Sequence, residues 1–143
     1  MGKHGKVMVV TDGASRGNPG PAAIAFGLYD EDGNLLHEGA EYIGNATNNE
    51  AEYIALIRAL DRCREHLRQE VEHYTDSQLV VNQLEGKWAV KAGNLKPLIK
   101  QISEMKRRFK PMVHKQLPRT NAMIRRIDSL VNDKLDRMGY PRK

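Results

Sequence analysis

Apolar and polar positions change period several times along this chain, and each change marks an element. Val7 to Val10 is an unbroken apolar run ended by Thr11-Asp12-Gly13, the pattern of a buried strand meeting a turn. Ser15 to Pro21 is turn-rich, and Asn18-Pro19-Gly20-Pro21 breaks any regular structure there. Ala22 to Tyr29 predicts a second strand, and Asp32-Gly33-Asn34 is a hairpin signal that sends Leu35 to Ile43 back beside it. The spacing then shifts to three and four. Asn48 or Asn49 can cap a helix running to about Leu67, with Leu56, Ala59, Leu60, Cys63 and Leu67 as its apolar line. Val71 to Tyr74 reads as a short strand, and Asp76-Ser77 offers a cap for a helix from Gln78 to Leu84. Glu85 to Asn94 reads as loop. Leu95 to Phe109 is amphipathic, with Leu95, Leu98, Ile102, Met105 and Phe109 on one face and Lys96, Lys100 and Arg107 opposite. Met112 to Leu117 predicts a last strand, stopped by Pro118, and Ile124 to Met138 a last helix. Strands come first, then helix and strand alternate, which predicts an α/β fold: a mixed sheet with helices on its faces.

Length and composition narrow the class. A chain of 143 residues without repeat or linker is expected to form one domain over residues 1–143, with 1–6 outside its ordered part. No apolar run approaches a membrane span, and the Met1-Gly2-Lys3-His4-Gly5-Lys6 start lacks the hydrophobic stretch of a signal peptide. The lone cysteine, Cys63, has no internal partner and falls on the apolar side of a helix, where a buried thiol is expected. A reducing cytoplasm suits this set.

Net charge is +5, but its distribution says more than its size. Lys87 to Lys110 holds eight Lys or Arg residues and one acid, Glu104, whereas acids gather earlier, as in Asp30-Glu31-Asp32. A basic side with a separate acidic pocket suits a polyanion held over cations.

Four acids stand against apolar stretches: Asp12, Glu52, Asp76 and Asp128. Asp12 before Gly13 also reads as a common turn pair, and Asp76 as a helix N-cap. Glu52 is harder to explain by local structure, since the line running back from Leu56 by four residues lands on it. Asp128 shares a stripe with Ile124, Val131 and Leu135. A single inward acid commonly meets a buried arginine. Two on separate helices, with two more at strand ends, favour a shared cation, because unpaired buried charge is costly. Carboxylate oxygens suit magnesium, which points to metal-dependent attack on a phosphate ester.

These residues also carry a resemblance. Thr11-Asp12-Gly13-Ala14-Ser15-Arg16-Gly17-Asn18-Pro19-Gly20-Pro21 resembles the opening motif of ribonuclease H, type I branch. Thr47-Asn48-Asn49-Glu50-Ala51-Glu52-Tyr53 resembles its second motif, and Thr75-Asp76-Ser77-Gln78-Leu79-Val80 its third. Ile127-Asp128-Ser129-Leu130-Val131-Asn132 is similar to the fourth, with Ile127 and Val131 in place of small alanines. The motifs occur in family order and span essentially the whole chain.

The resemblance implies a ribonuclease H-like fold, a five-stranded mixed sheet flanked by helices. It implies that Asp12, Glu52, Asp76 and Asp128 converge on two divalent ions, Mg2+ or Mn2+. The implied activity is hydrolysis of the RNA strand of an RNA/DNA hybrid, leaving 5′-phosphate and 3′-hydroxyl ends. Gly13, Ala14, Asn48, Glu52 and Gln78 would line the RNA minor groove; Asn18, Thr47 and Asn49 would face the DNA strand. A monomer acting without membrane or protein partner is expected.

The chain also departs from the family pattern. Between Leu117 and Ile124 there is no histidine where many members carry a flexible-loop one. His114 falls within a predicted strand, as a packed or surface residue, and Arg119 is the basic residue of that loop. A basic helical protrusion has no clear counterpart; Lys87, Trp88, Lys91 and Lys96 offer an alternative gripping surface, with Trp88 read equally as core or lid. These departures frame an alternative, a non-catalytic hybrid-binding module with a degenerate active site; a third reading, nuclease action on branched DNA, lacks support from the strand-discriminating asparagines.

Overall fold

A computed structural model describes residues 5–65, 70–109 and 111–141, with backbone alone at 64 and 65. Leu67, the last position of the predicted apolar line, lies outside the described residues, as do Lys110 and positions 1–4 of the expected unordered start.

Among the described residues nine elements follow one another: β1 (Lys6–Ser15), β2 (Gly20–Asp30), β3 (Leu35–Ala46), α1 (Asn48–Glu65), β4 (Glu70–Thr75), α2 (Gln78–Leu84), α3 (Lys96–Lys106), β5 (Met112–Gln116) and α4 (Ala122–Arg137). The strands form one sheet in the order β3-β2-β1-β4-β5. The β1–β2 and β2–β3 pairs are antiparallel, while β1–β4 and β4–β5 are parallel. The mixed sheet expected from the order of elements is therefore present, with β1 at its centre.

Alternation along the central strands sorts side chains to two faces. Val7 and Val9 of β1, with Ala22, Ile24, Phe26 and Leu28 of β2, join a core under α1 that also receives Ile102 of α3. Val10 of β1, with Ala23, Ala25 and Tyr29 of β2, faces the other way and packs on Ile124, Ile127, Val131 and Leu135 of α4. Two apolar layers thus clamp the sheet, and among the described residues α4 is the helix over the second.

Several boundaries differ from the sequence reading: β2 begins at Gly20, inside the expected turn, β3 runs on to Ala46, and α3 ends at Lys106 rather than Phe109. The difference that bears on the site is in β1. β1 does not stop at Val10 but runs through Asp12 and Gly13 to Ser15. Its backbone stays paired in register with β2, Asp12 opposite Ala25 and Gly13 opposite Ile24. The ladder supplies hydrogen-bond partners that override the local turn preference of Asp-Gly. Among the described residues, no helix is long and apolar enough to cross a membrane.

Candidate active site

Asp12 projects from the centre of the sheet and is only 7% exposed. The next residue explains what lies beside it. A Cβ at Gly13 would sit 2.4 Å from the carbonyl carbon of Ala51 and 2.8 Å from the amide nitrogen of Glu52. Only glycine lets the first turn of α1 lie directly on β1. That contact delivers Glu52 to Asp12.

The start of α1 is fixed by a reciprocal cap. Thr47 Oγ1 accepts the Glu50 amide at 3.0 Å, and the Glu50 carboxylate accepts the Thr47 amide at 2.8 Å. The cap is thus Thr47, whereas Asn48 and Asn49 are the first helical residues. Asn48 Oδ1 accepts the Ser15 amide at 2.9 Å, and the Asn48 amide donates to Asn18 Oδ1 at 3.0 Å. These bonds tie the β1–β2 connection to the helix that carries Glu52.

Asp76 follows the last residue of β4. The capping role open to it belongs to Ser77, whose hydroxyl accepts the Val80 amide at 3.2 Å. The Asp76 carboxylate is left for the cavity. Asp128 needs a correction of a different kind. The buried stripe of α4 is Ile124, Ile127, Val131 and Leu135, and Asp128 is exposed at its edge. Ile127 takes the inward position because its neighbour is turned about 100° away around the helix.

The four acids nevertheless share one cavity of about 570 Å³. Single carboxylate oxygens of Asp12, Glu52 and Asp76 lie within 4.8 Å of one another. Asp128 stands close enough to raise the Asp12 pKa. Gly13, Ala14, Asn48, Asn49 and Gln78 line the same cavity, together with Arg119 and Arg125. Asn18 and Thr47 are not among the lining residues; they act one layer back, through the bonds just described.

Electrostatics show what this crowding costs. The Asp12 pKa is pushed up to about 8, first by burial and then by the charges of Asp76 and Asp128, against a bond from the Gly13 backbone. Glu52 is held well above the usual carboxylate range by burial, then by Asp12 and Asp76; the Gly13 backbone and Arg119 pull the other way. Glu52 Oε1 is shielded from solvent and has no hydrogen-bond partner. A bare acceptor among like charges is unfavourable unless a cation joins it. Hard oxygen donors at this spacing fit a divalent ion such as Mg2+. Asp12, Glu52 and Asp76 are the residues placed to hold one, with Asp128 adjoining.

Several contacts in and around the site are not legible in the sequence. Arg119 Nε lies 3.3 Å from Asp76 Oδ2. Arg16, quoted within the first motif without a role, is nearly buried and reaches α4, where Asn132 Oδ1 accepts it at 3.1 Å. Asn132 stands four residues after Asp128, a helical spacing that could have flagged the pair. His114 is buried against His73, with their Nδ1 atoms 2.9 Å apart, and His73 Nε2 is 2.8 Å from Thr11 Oγ1. Trp88 is 45% exposed and so does not belong to the core.

Residues 10–132 match the family profile described as "Reverse transcriptase-like". Ribonuclease HI of Halobacterium salinarum is 42% identical over 134 residues, 94% of this chain and 66% of that protein. The bifunctional protein Rv2228c of Mycobacterium tuberculosis is 39% identical over 132 residues, 92% of this chain and 36% of that protein. The chain therefore spans less than two-thirds of the length of these curated relatives. Among solved structures, LC11-RNase H1 in complex with an RNA/DNA hybrid is 43% identical, with a TM-score of 0.85, over 92% of this chain and 98% of that one.

Proposed function

The chain belongs to the ribonuclease H family, type I branch, and on that premise we propose that it is an endoribonuclease acting on the RNA strand of RNA/DNA hybrids. The observation that carries this reading is the meeting of Asp12, Glu52 and Asp76 oxygens within 4.8 Å in a cavity also lined by Asp128. Asp12, Glu52, Asp76 and Asp128 would hold two divalent ions, Mg2+ or Mn2+, which when bound activate a water and stabilise the leaving 3′-oxygen. The products are then a 5′-phosphate and a 3′-hydroxyl. No protein nucleophile is required.

The chain's own groups choose the strand. Telling RNA from DNA means sensing a 2′-hydroxyl, which both donates and accepts. The exposed Gln78 side chain, the backbone at Gly13 and Ala14, and Asn48 stand beside the acids and suit that task. Asn18, Thr47 and Asn49 belong to the DNA-facing side, and the first two also brace the start of α1. A nuclease needs the acids; a pure binder gains nothing from negative charge aimed at phosphate. We read the protein as a single domain that works as a monomer in the cytoplasm.

The test is cleavage of a labelled hybrid with Mg2+ or Mn2+ beside single-stranded RNA, duplex DNA and junction DNA. Cutting confined to the hybrid RNA strand, with ends that a polymerase can extend, is the expected result. Equal loss of single-stranded RNA, or no cleavage with either metal, overturns the proposal.

A further inference from the structure

Three of the four acids, Asp12, Glu52 and Asp76, are buried or half-buried, whereas Asp128 is not. It is an exposed residue of α4, the helix over the second face, and nothing in the apolar packing of that face fixes its side chain. On a helix two staggered χ1 rotamers are readily open to a short carboxylate, the third clashing with the preceding turn, and they send it in different directions.

The hydrogen bonds around Asp128 supply the missing constraint. Asn132 Nδ2 donates to the Asp128 carbonyl oxygen at 3.1 Å and to Asp128 Oδ2 at 3.3 Å. On its other side, Asn132 Oδ1 accepts Arg16 Nη2 at 3.1 Å. The order of atoms along this chain has one solution. A guanidinium only donates and an ionised carboxylate only accepts, so the amide between them must turn its oxygen to Arg16 and its nitrogen to Asp128. Arg16 thereby fixes the orientation of an amide that is otherwise free to flip.

Arg16 is itself held from several directions. Its Nη1 donates to Asp136 Oδ1 at 3.0 Å and to the carbonyl of Tyr140, and its Nη2 donates to the Asn132 carbonyl at 3.3 Å. Its backbone amide donates to the Pro21 carbonyl at 2.7 Å. The side chain is 8% exposed, so the guanidinium is locked between the β1–β2 connection and the last two turns of α4. The same connection is bonded to the start of α1 through Asn18 and Ser15. One rigid loop thus indexes both helices that contribute acids to the cavity.

We infer that Arg16 and Asn132 are positioning residues that aim the Asp128 carboxylate at the metal-binding cavity, Asn132 directly and Arg16 by fixing the Asn132 amide. The inference rests on the reading of Asp128 as a metal-facing acid and adds the device that makes an exposed helical aspartate serve as one. Groups bonded behind a metal ligand set its orientation, and losing one costs about 10-fold or more in metal affinity or activity.

The experiment measures three quantities on the whole chain: Mg2+ binding by calorimetry without nucleic acid, kcat and KM on a hybrid, and thermal unfolding. Asn132→Ala should weaken Mg2+ binding and lower kcat by about 10-fold while KM changes little. Asn132→Ser, which removes less of the side chain, should move both quantities in the same direction. Arg16→Met should follow the same pattern with an added loss of thermal stability, because Arg16 also secures Tyr140 and Asp136. In an Asp128→Asn background the further effect of Asn132→Ala should vanish, since its route runs through Asp128. Unchanged Mg2+ binding and kcat in Asn132→Ala, with Asp128→Asn defective, sink the positioning role alone. Losses in Asn132→Ala that persist at full size in the Asp128→Asn background sink it too. An Asp128→Asn protein that binds Mg2+ and cleaves like the parent sinks the assignment of Asp128, and the positioning role with it.

Discussion

Arg119 Nε lies 3.3 Å from Asp76 Oδ2, although the arginine side chain is 90% exposed. The loop before α4 thus lays a cation directly on one of the acids of the cavity. With its cation almost fully solvated, the pair contributes about 1 kcal/mol or less to folding. At Asp76 the arginine stands where a bound metal ion would compete with it, and its guanidinium would offer a donor to an incoming phosphate. Arg119→Ala should therefore keep its melting temperature, bind Mg2+ at least as tightly as the parent, and show a higher KM for the hybrid. Weaker Mg2+ binding in that variant, read by calorimetry, would contradict this account.

Asp12 makes a prediction whose sign runs against habit. Its folded pKa is about 8 while a free aspartate titrates near 3.8, so the folded state binds the extra proton between those values. Its contribution to stability is fully present below pH 3.8 and is lost as the pH rises through 8. In metal-free buffer at pH 8, Asp12→Asn should unfold at a higher temperature than the parent, with the gap closing on acidification. Saturating Mg2+ should reverse the ranking, because the parent alone gains from the ion. Cleavage by Asp12→Asn should fall below detection. A metal-free variant that melts below the parent at pH 8 is the contrary result.

The buried histidines act in the opposite direction. His114 is pushed down to about 3 by burial, then by Lys106, and His73 is held well below its ordinary value by burial, then by His114 and Lys106. A histidine depressed in the folded state adds stability that is present above the unfolded value near 6.5. That stability drains away as the pH falls from there towards 3. Urea midpoints taken from pH 7 to pH 4 should drop less steeply in His114→Leu than in the parent, even though the variant is weaker at pH 7. Equal slopes would remove the histidines as a source of acid lability.

Thr47→Ala should cost about 1 kcal/mol of stability, the usual loss for a helix cap. Because α1 carries Glu52 one turn further on, kcat should fall as well, and Thr47→Ser should restore both. Denaturant unfolding and steady-state kinetics on the two variants decide it.

Much of this is legible in the chain alone. Gln78 to Leu84 shows both of its ends in the sequence because Ser77 supplies a cap and Val80 a buried anchor within one short segment. The apolar spacing of the segment from Leu95 to Phe109 is legible, since Leu95, Ile102 and Phe109 are all buried, although the helix itself stops at Lys106. The failures share one cause, which is that a distant partner decided the outcome. Thr11-Asp12-Gly13 spells a turn locally, yet β2 holds it extended through pairs such as Gly13 with Ile24. Asn48, Asn49 and Thr47 are all capping types; the Glu50 carboxylate selected Thr47. His114 read equally as packed or surface, and His73, 41 positions away, settled its burial. Arg16 gave no local hint of reaching α4, because its partners lie 116 to 124 residues further along.

Cys63, introduced as a lone thiol with no partner, is 0% exposed on the inner side of α1, and burial raises its pKa to about 12. No alkylating reagent can reach it while α1 stays docked, and at neutral pH it is not a thiolate. Its labelling rate is consequently a stopwatch for undocking of the same helix that brings Glu52 to the sheet. A ligand that grips Glu52 should slow that clock, so occupancy of the cavity can be followed by mass spectrometry without any nucleic acid being cut.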